Sequence, residues 1–295
     1  MYAIMGATGQ TGGAALRELV GRGAGVRAIT RDPARARGLL GPGVEIVAAD
    51  PTDAAALARA FTGTRGVYVL NVPGADAVDP IASGARVSAA IAAALAEARP
   101  ARVAALSAEG AHLAAGTGVI RVLHDFEHAL TQVGLPLTRL RASYFMENWA
   151  SGLAPAAAEG LLPSLLQPLD RPRALVSVVD IGAVVAELLL AADAPEVVNL
   201  VGPRDYAPAD AAAVLAAELG RPVAAVAPPR EAWEPALTAA GLGAGYAAAL
   251  AAMYDGVNAG TVRFEPGVGV GRRGVVTLAT ALARVVAKGG QPVPA

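Results

Sequence analysis

A turn with glycine at every third position near the start of the chain limits its fold more than any other feature. Gly6-Ala7-Thr8-Gly9-Gln10-Thr11-Gly12 follows a short apolar run at residues 2–5 and leads into a stretch with helical spacing at 13–22. A second apolar run at 26–30 completes the strand–helix–strand unit in which such a turn holds a dinucleotide. Gly6 permits the tight turn, Gly9 lets the backbone approach a pyrophosphate, and Gly12 lets the helix pack close to the strand. Thr8, Gln10 and Thr11 share the turn and are assigned with the glycines to the cofactor. Its phosphates face the free amides and the positive end of the helix dipole.

The same alternation continues. Apolar runs at 44–49, 67–72, 102–107 and 137–141 are separated by helix-compatible stretches at 34–40, 54–61, 81–98 and 119–133. Short buried strands joined by longer helices predict an α/β architecture, a Rossmann doubly wound parallel sheet with helices on both faces. Asp32-Pro33 and Asp53 stand where helix caps belong. After Trp149 the alternation weakens, and proline and leucine crowd residues 161–172. A strand is expected at 175–179, followed by a helix capped by Asp180, then strands at 197–201 and 222–226 around a helix at 208–219. Residues 231–288 read as mostly helical, and the tail at 289–295 as frayed. The predicted division is a dinucleotide-binding domain over 1–150, its sheet completed by 174–201, and a smaller C-terminal α/β lobe over 151–295 that binds substrate.

The end of the second strand decides which dinucleotide is held. Sites for NAD place an acidic residue there to hold the ribose hydroxyls, whereas NADP sites favour an arginine. Here Thr30 is followed by Arg31, whose fork suits a 2′-phosphate, and Asp32 is explained by Pro33 as a helix cap. The expected cofactor is NADP(H). Asp50 ends the third strand, where it either reaches the adenine amino group or serves its own turn. Asn71 and Pro73 close the fourth strand beside the path of the cofactor.

Composition narrows the partners. The formal net charge of −1 gives no reason to expect nucleic acid or an anionic membrane. The chain has no cysteine, which excludes disulfides, thiol catalysis and cysteine-ligated metals. The uncharged stretch at 236–254 is mostly alanine broken by Gly241, Gly243 and Gly245, too weakly apolar for a membrane span. Residues 2–5 run into glycines too soon to form a signal peptide. These features predict a soluble cytoplasmic protein.

Several further segments give the chain a family likeness. Besides residues 6–12 they are Thr30-Arg31-Asp32-Pro33, His124-Asp125-Phe126-Glu127, Gly134-Leu135-Pro136-Leu137-Thr138, Leu140-Arg141 and Phe145-Met146-Glu147-Asn148. Val179-Asp180-Ile181-Gly182 and Leu200-Val201-Gly202-Pro203 extend the match into the second half. The chain resembles the NmrA-like group of atypical short-chain dehydrogenases/reductases, which contains NADPH-dependent quinone reductases and redox-sensing regulators. The resemblance implies a Rossmann domain whose C-terminal segments cover the nicotinamide. Two segments depart from the group: Leu123 stands where a lysine often precedes the helical histidine, and Ala142-Ser143 replace a common Pro-Gly.

The usual dehydrogenase apparatus, a tyrosine with a lysine four residues later, is absent. The six tyrosines are followed at that spacing by Gly6, Val72, Asn148, Asp210, Leu250 and Asn258, and Lys288 is the sole lysine. Three groups remain as catalytic candidates. Ser107, at the end of the fifth strand, either orients a substrate or serves a turn. His124 either relays a proton or is a helix histidine with no such role. Tyr144 either faces the nicotinamide, as the resemblance implies, or belongs to the core. Asn148 and Trp149 are candidates for lining the substrate pocket. His124-Asp125-Phe126-Glu127-His128 also matches a zinc-peptidase pattern, but it lies inside a Rossmann segment with no third ligand, so no metal is expected. The favoured function is NADPH-dependent reduction of a quinone, enone or similar small molecule. The alternatives are a non-catalytic NADP(H)-sensing regulator and a redox-neutral isomerase or epimerase.

Overall fold

A computed structural model describes residues 1–289; the remainder of the tail expected to fray lies outside the described residues. The first half runs β1 (Tyr2–Met5), α1 (Gln10–Gly21), β2 (Val26–Thr30), α2 (Pro33–Leu39), β3 (Glu45–Ala48), α3 (Ala54–Phe61) and β4 (Gly66–Val69). It continues through α4 (Pro80–Ala98), β5 (Arg102–Ala108), α5 (Arg121–Thr131), β6 (Leu137–Ala142) and β7 (Tyr144–Phe145). Then come α6 (Leu153–Glu159), β8 (Leu161–Pro163), β9 (Arg173–Val176), α7 (Val178–Leu190), β10 (Val197–Val201) and β11 (Asp205–Tyr206). The last elements are α8 (Pro208–Leu219), β12 (Ala224–Val226), α9 (Trp233–Ala239), α10 (Ala244–Asn258), β13 (Val270–Arg273) and α11 (Leu278–Ala287).

Eight strands form one sheet in the order β13-β10-β6-β5-β4-β1-β2-β3, and every pairing within it is parallel. Its central strands are apolar along their length because helices cover both faces. On one face α1 and α7 pack over Ile4, Ala28, Tyr68, Ala104 and Leu140. On the other, α3, α4 and α5 bury Val67, Val69, Val103, Phe61, Ile91 and Phe126. Asp32, Asp53 and Asp79 each accept from the amide three residues on, at 2.9 Å, and so start α2, α3 and α4. The capping role read for Asp32 is therefore present. Among the described residues α4 alone is long and apolar enough to cross a membrane, and its apolar face lies in this core.

The second half departs from the sequence reading in several places. β9 ends at Val176 and pairs with β7 and β11 in a separate three-stranded sheet, so only β10 of the 174–201 segment joins the large sheet. Asp180 does not cap α7. Ser177 Oγ accepts from the Val179 amide at 3.2 Å and Glu147 from the Val178 amide at 3.0 Å, which starts the helix before Asp180. The Asp180 carboxylate instead accepts from the Val275 and Val276 amides at 3.0 and 3.1 Å, tying α7 to the chain beyond β13. Finally, the 231–288 stretch contains β13, an exposed edge strand whose Val-Gly-Arg-Arg carries no apolar alternation to reveal it. The remaining elements gather around Met146, Trp149, Leu162, Tyr206, Leu215 and Leu282 as a third apolar cluster.

Candidate active site

Parallel strands bring all their carboxyl ends to one edge of the sheet, and ligands of open α/β sheets bind along that edge. At the end of β1, Gly6 takes φ +61°, a left-handed conformation that favours glycine. Its carbonyl accepts from the Gly9 amide at 2.8 Å and closes the turn. A Cβ on Gly12 would run into the carbonyl oxygens of Gly6 and Met5, so α1 reaches its approach to the strand only with glycine there. Unlike α2, α3 and α4, α1 has no side-chain cap. Its amino end is therefore open to an anion, and the cradle fits a pyrophosphate. Thr8 and Gln10 are half-buried in the turn. Thr11 is turned inward, its hydroxyl accepting from Tyr68 at 3.0 Å, so it supports the turn from beneath.

Arg31, at the end of β2, is exposed and makes no hydrogen bond or ion pair among the described residues; Asp50 is near enough for its charge to be felt. Asp50 Oδ1 accepts from the Thr52 amide at 2.8 Å and its hydroxyl at 2.5 Å, and these bonds hold its carboxyl below the usual range. That is the turn role for Asp50. Asn71 is buried and donates from Nδ2 to Gly84 O at 2.8 Å and Ser88 Oγ at 2.9 Å, joining the β4 loop to α4. Its Oδ1 is buried without a hydrogen-bond partner among the described residues. Pro73 is buried in the same loop.

At the ends of β5 and β6 the structure closes a network that joins distant parts of the chain. Arg141, 3% exposed, holds Glu127 in a two-pronged pair at 2.9 and 2.6 Å and reaches Glu265 at 2.8 Å. Ser107 is buried and donates to Glu127 at 2.5 Å, so its proton is committed. His124 Nδ1 lies 3.0 Å from Ala111 O, which engages the nitrogen nearest the loop after β5. His112 stands by Glu265, and burial holds its imidazole below its usual range.

Tyr144, on β7, meets Tyr254 of α10 hydroxyl to hydroxyl at 2.9 Å, and burial pushes both phenols upward. Trp233 packs edge-on against Tyr254 with ring centres 6.2 Å apart. Asn148 is exposed near Tyr144, whereas Trp149 is buried in the third apolar cluster. Of the candidates named from sequence, Ser107 and His124 lie around the β5 edge, with Tyr144 nearby on β7. Glu109, Glu127, Arg141, Glu265 and Tyr254 were not singled out as site residues. Glu109 directly follows β5 and its amide donates to Ala142 O at 3.0 Å. Burial, then the Asp205 charge, push its carboxyl up to about 7. Its place two residues beyond Ser107, at a strand's carboxyl end, was the signal available in the sequence. A hollow lined by Arg102, Leu135, Arg139 and Glu196 opens at the amino ends of β5 and β6, the wrong edge for a ligand held on the glycine turn. Among the described residues no cluster of three potential metal ligands occurs.

Comparison with known proteins agrees with this geometry. The sequence model of the NmrA-like family matches residues 2–272, and the chain belongs to that family. An NADPH-dependent quinone oxidoreductase from Escherichia coli, complexed with NADPH, is similar over 97% of this chain and 100% of its own, with a TM-score of 0.80 and 24% identity. A Citrobacter sp. triphenylmethane reductase complexed with NADP(H) is similar over 96% of this chain and 99% of its own, with a TM-score of 0.79 and 20% identity. A nucleoside-diphosphate-sugar epimerase from Staphylococcus aureus covers 96% and 99% respectively, with a TM-score of 0.76 and 17% identity. At these identities the likenesses establish the fold. No curated protein sequence matched significantly.

Proposed function

We propose that this member of the NmrA-like family is an NADPH-dependent oxidoreductase that reduces a quinone, enone or similar electron-poor small molecule. The observation that carries the reading is the open cradle of residues 6–12 combined with Arg31, which has no hydrogen-bond or ion-pair partner among the described residues. With Asp32 committed to the Arg35 amide, the nearest acidic side chain is withdrawn from a ribose hydroxyl and the guanidinium is left for a 2′-phosphate. The reductases of like fold named above bind this cofactor, which supports the same assignment here. The glycine turn and the amino end of α1 hold the pyrophosphate, and Arg31 holds the adenosine end. Tyr144 and Tyr254, half-buried and backed by Trp233, offer aromatic faces to a flat acceptor.

NADPH, when bound, supplies the hydride, so the protein's task is to bind, orient and move one proton. Such acceptors ask less of a protein acid than a simple ketone does, which suits a chain without a Tyr–Lys pair. The proposed partner is a small molecule, with neither nucleic acid nor membrane involved. NADPH oxidation against a panel of quinones and enones tests this reading. Turnover of at least one class is expected, whereas tight NADPH binding with no turnover across the panel would contradict it.

The engagement of Ser107 and His124 in bonds within the protein favours one second reading, a non-catalytic sensor of NADP(H). That reading requires different affinities for NADP⁺ and NADPH and a protein partner that follows the difference. Equal affinities would remove it.

A further inference from the structure

A reductase of this kind needs a proton as well as a hydride, and the groups the sequence points to are already occupied. Ser107 gives its proton to Glu127, and the His124 ring lies on Ala111 O. Tyr144 and Tyr254 bond to each other, and burial makes both weaker acids. Arg141 is closed by Glu127 and Glu265.

Glu109 stands apart from these. Its backbone is fixed at the carboxyl ends of two central strands, directly after β5 and bonded to Ala142 at the end of β6. Gly110 follows at φ +86° and turns the chain away. In the sheet order β5 lies beside β4, and β4 beside β1 with its glycine turn. A dinucleotide with its phosphates on that turn and its adenosine end towards Arg31 on β2 directs its other end over β4 and β5. The Glu109 side chain is half-buried there, and its carboxyl makes no hydrogen bond or ion pair among the described residues. The charged groups that act on it from the elements packed against it are Asp205 of β11 and Arg173 of β9. Arg173 gives its hydrogen bonds elsewhere, to Val257 O at 2.7 Å, Gln167 O at 2.5 Å and Asn258 Oδ1 at 3.2 Å.

We propose that Glu109 is the proton donor of the reaction, delivering its carboxyl proton to the acceptor oxygen on which charge gathers as the hydride arrives. This rests on the reductase reading above. The Oε–H bond of Glu109 breaks and an O–H bond forms on the acceptor, leaving a carboxylate that solvent reprotonates. The hydride carries both electrons, so the acceptor is reduced and the cofactor oxidised, with one proton consumed in each turnover. Burial and the Asp205 charge keep a large share of Glu109 protonated near neutral pH, the condition for efficient general-acid catalysis.

Spectroscopic and kinetic measurements test the proposal together. Infrared difference spectra against pH are expected to show a carboxylic-acid band lost with a midpoint near 7 and absent from Glu109→Gln, a result independent of turnover. The exposed substitution Asp205→Asn should move that midpoint down, because it removes a like charge. Glu109→Gln should lower kcat/KM for the acceptor by about 10²–10⁴-fold while NADPH affinity stays the same. In the wild type this rate should fall as pH rises above about 7, and the variant should lack that limb. Wild-type turnover matched by Glu109→Gln would overturn the donor role and leave the reductase reading standing. A wild type that binds NADPH but turns over no acceptor would overturn both. An infrared midpoint at the ordinary glutamate range would overturn the donor role alone.

Discussion

At the scale of single residues, Glu109 carries a cost to the fold that is open to measurement. Burial, with help from Asp205, raises its carboxyl to about 7, above that of a glutamate in an unfolded chain. The folded state therefore holds this proton more tightly than the unfolded state does. The stability so contributed is complete below an unfolded glutamate's pKa of about 4.3 and is lost as pH rises through 7. Glu109→Gln stays neutral throughout, so it should match the wild type near pH 4 and exceed it at pH 8 by roughly 1–3 kcal/mol, allowing for partial exposure. Urea unfolding at the two pH values gives the difference directly, and a difference that does not change with pH would contradict the account. Residue-level legibility was uneven. The Asp32 cap could be read because it depends on near neighbours. The bond from Arg141 to Glu265 spans 124 positions and that from Tyr144 to Tyr254 spans 110, so no local pattern announces either.

At the scale of elements, glycine marks where one segment lies against another. Gly182 of α7 backs onto Ala14 of α1, and Gly118, at φ +53°, lies against the backbone of α10 at Ala249 and Met253. Gly243 and Gly245, read from sequence only as breaks in an apolar stretch, let the start of α10 settle against the loop after β4 at residues 76–78. α10 thus spans the loops beyond β4 and β5 and brings Tyr254 to Tyr144. Gly118→Ala should destabilise the fold by about 1–3 kcal/mol through overpacking at a left-handed position. It should also raise KM for the acceptor and leave NADPH affinity unchanged, because α10 lies away from the glycine turn. Thermal denaturation together with the KM for a quinone acceptor checks this, and an unaltered Tm would contradict it. The α/β alternation of the first half was legible because its strands, the edge strand β3 apart, are largely buried on both faces. β7, β9 and β11 were hidden or misplaced because two- to four-residue strands carry too few residues for a period to show.

At the scale of the whole molecule, the fold separates holding a cofactor from using it. One end of the sheet edge, from β1 to β2, carries the open cradle and Arg31, features set within a single strand–helix–strand unit and readable in the sequence. Beyond the other end, at β5, β6 and the nearby β7, Glu109 stands by itself, Arg141 joins Glu127 to Glu265, and Tyr144 joins Tyr254, long-range bonds that form only on folding. The family likeness reaches across both ends, but it speaks for the first more firmly than for the second. The central claim is that the cradle and Arg31 together select NADP(H). Calorimetric titration of NADPH and NADH into the wild type and Arg31→Ala at one salt concentration tests it most directly. The account predicts that the wild type prefers NADPH by at least about tenfold, and that Arg31→Ala loses most of that preference while still binding NADH, as expected for charge-assisted bonds to a phosphate. Equal affinity of the wild type for the two cofactors would contradict it, as would a preference for NADPH that survives the substitution.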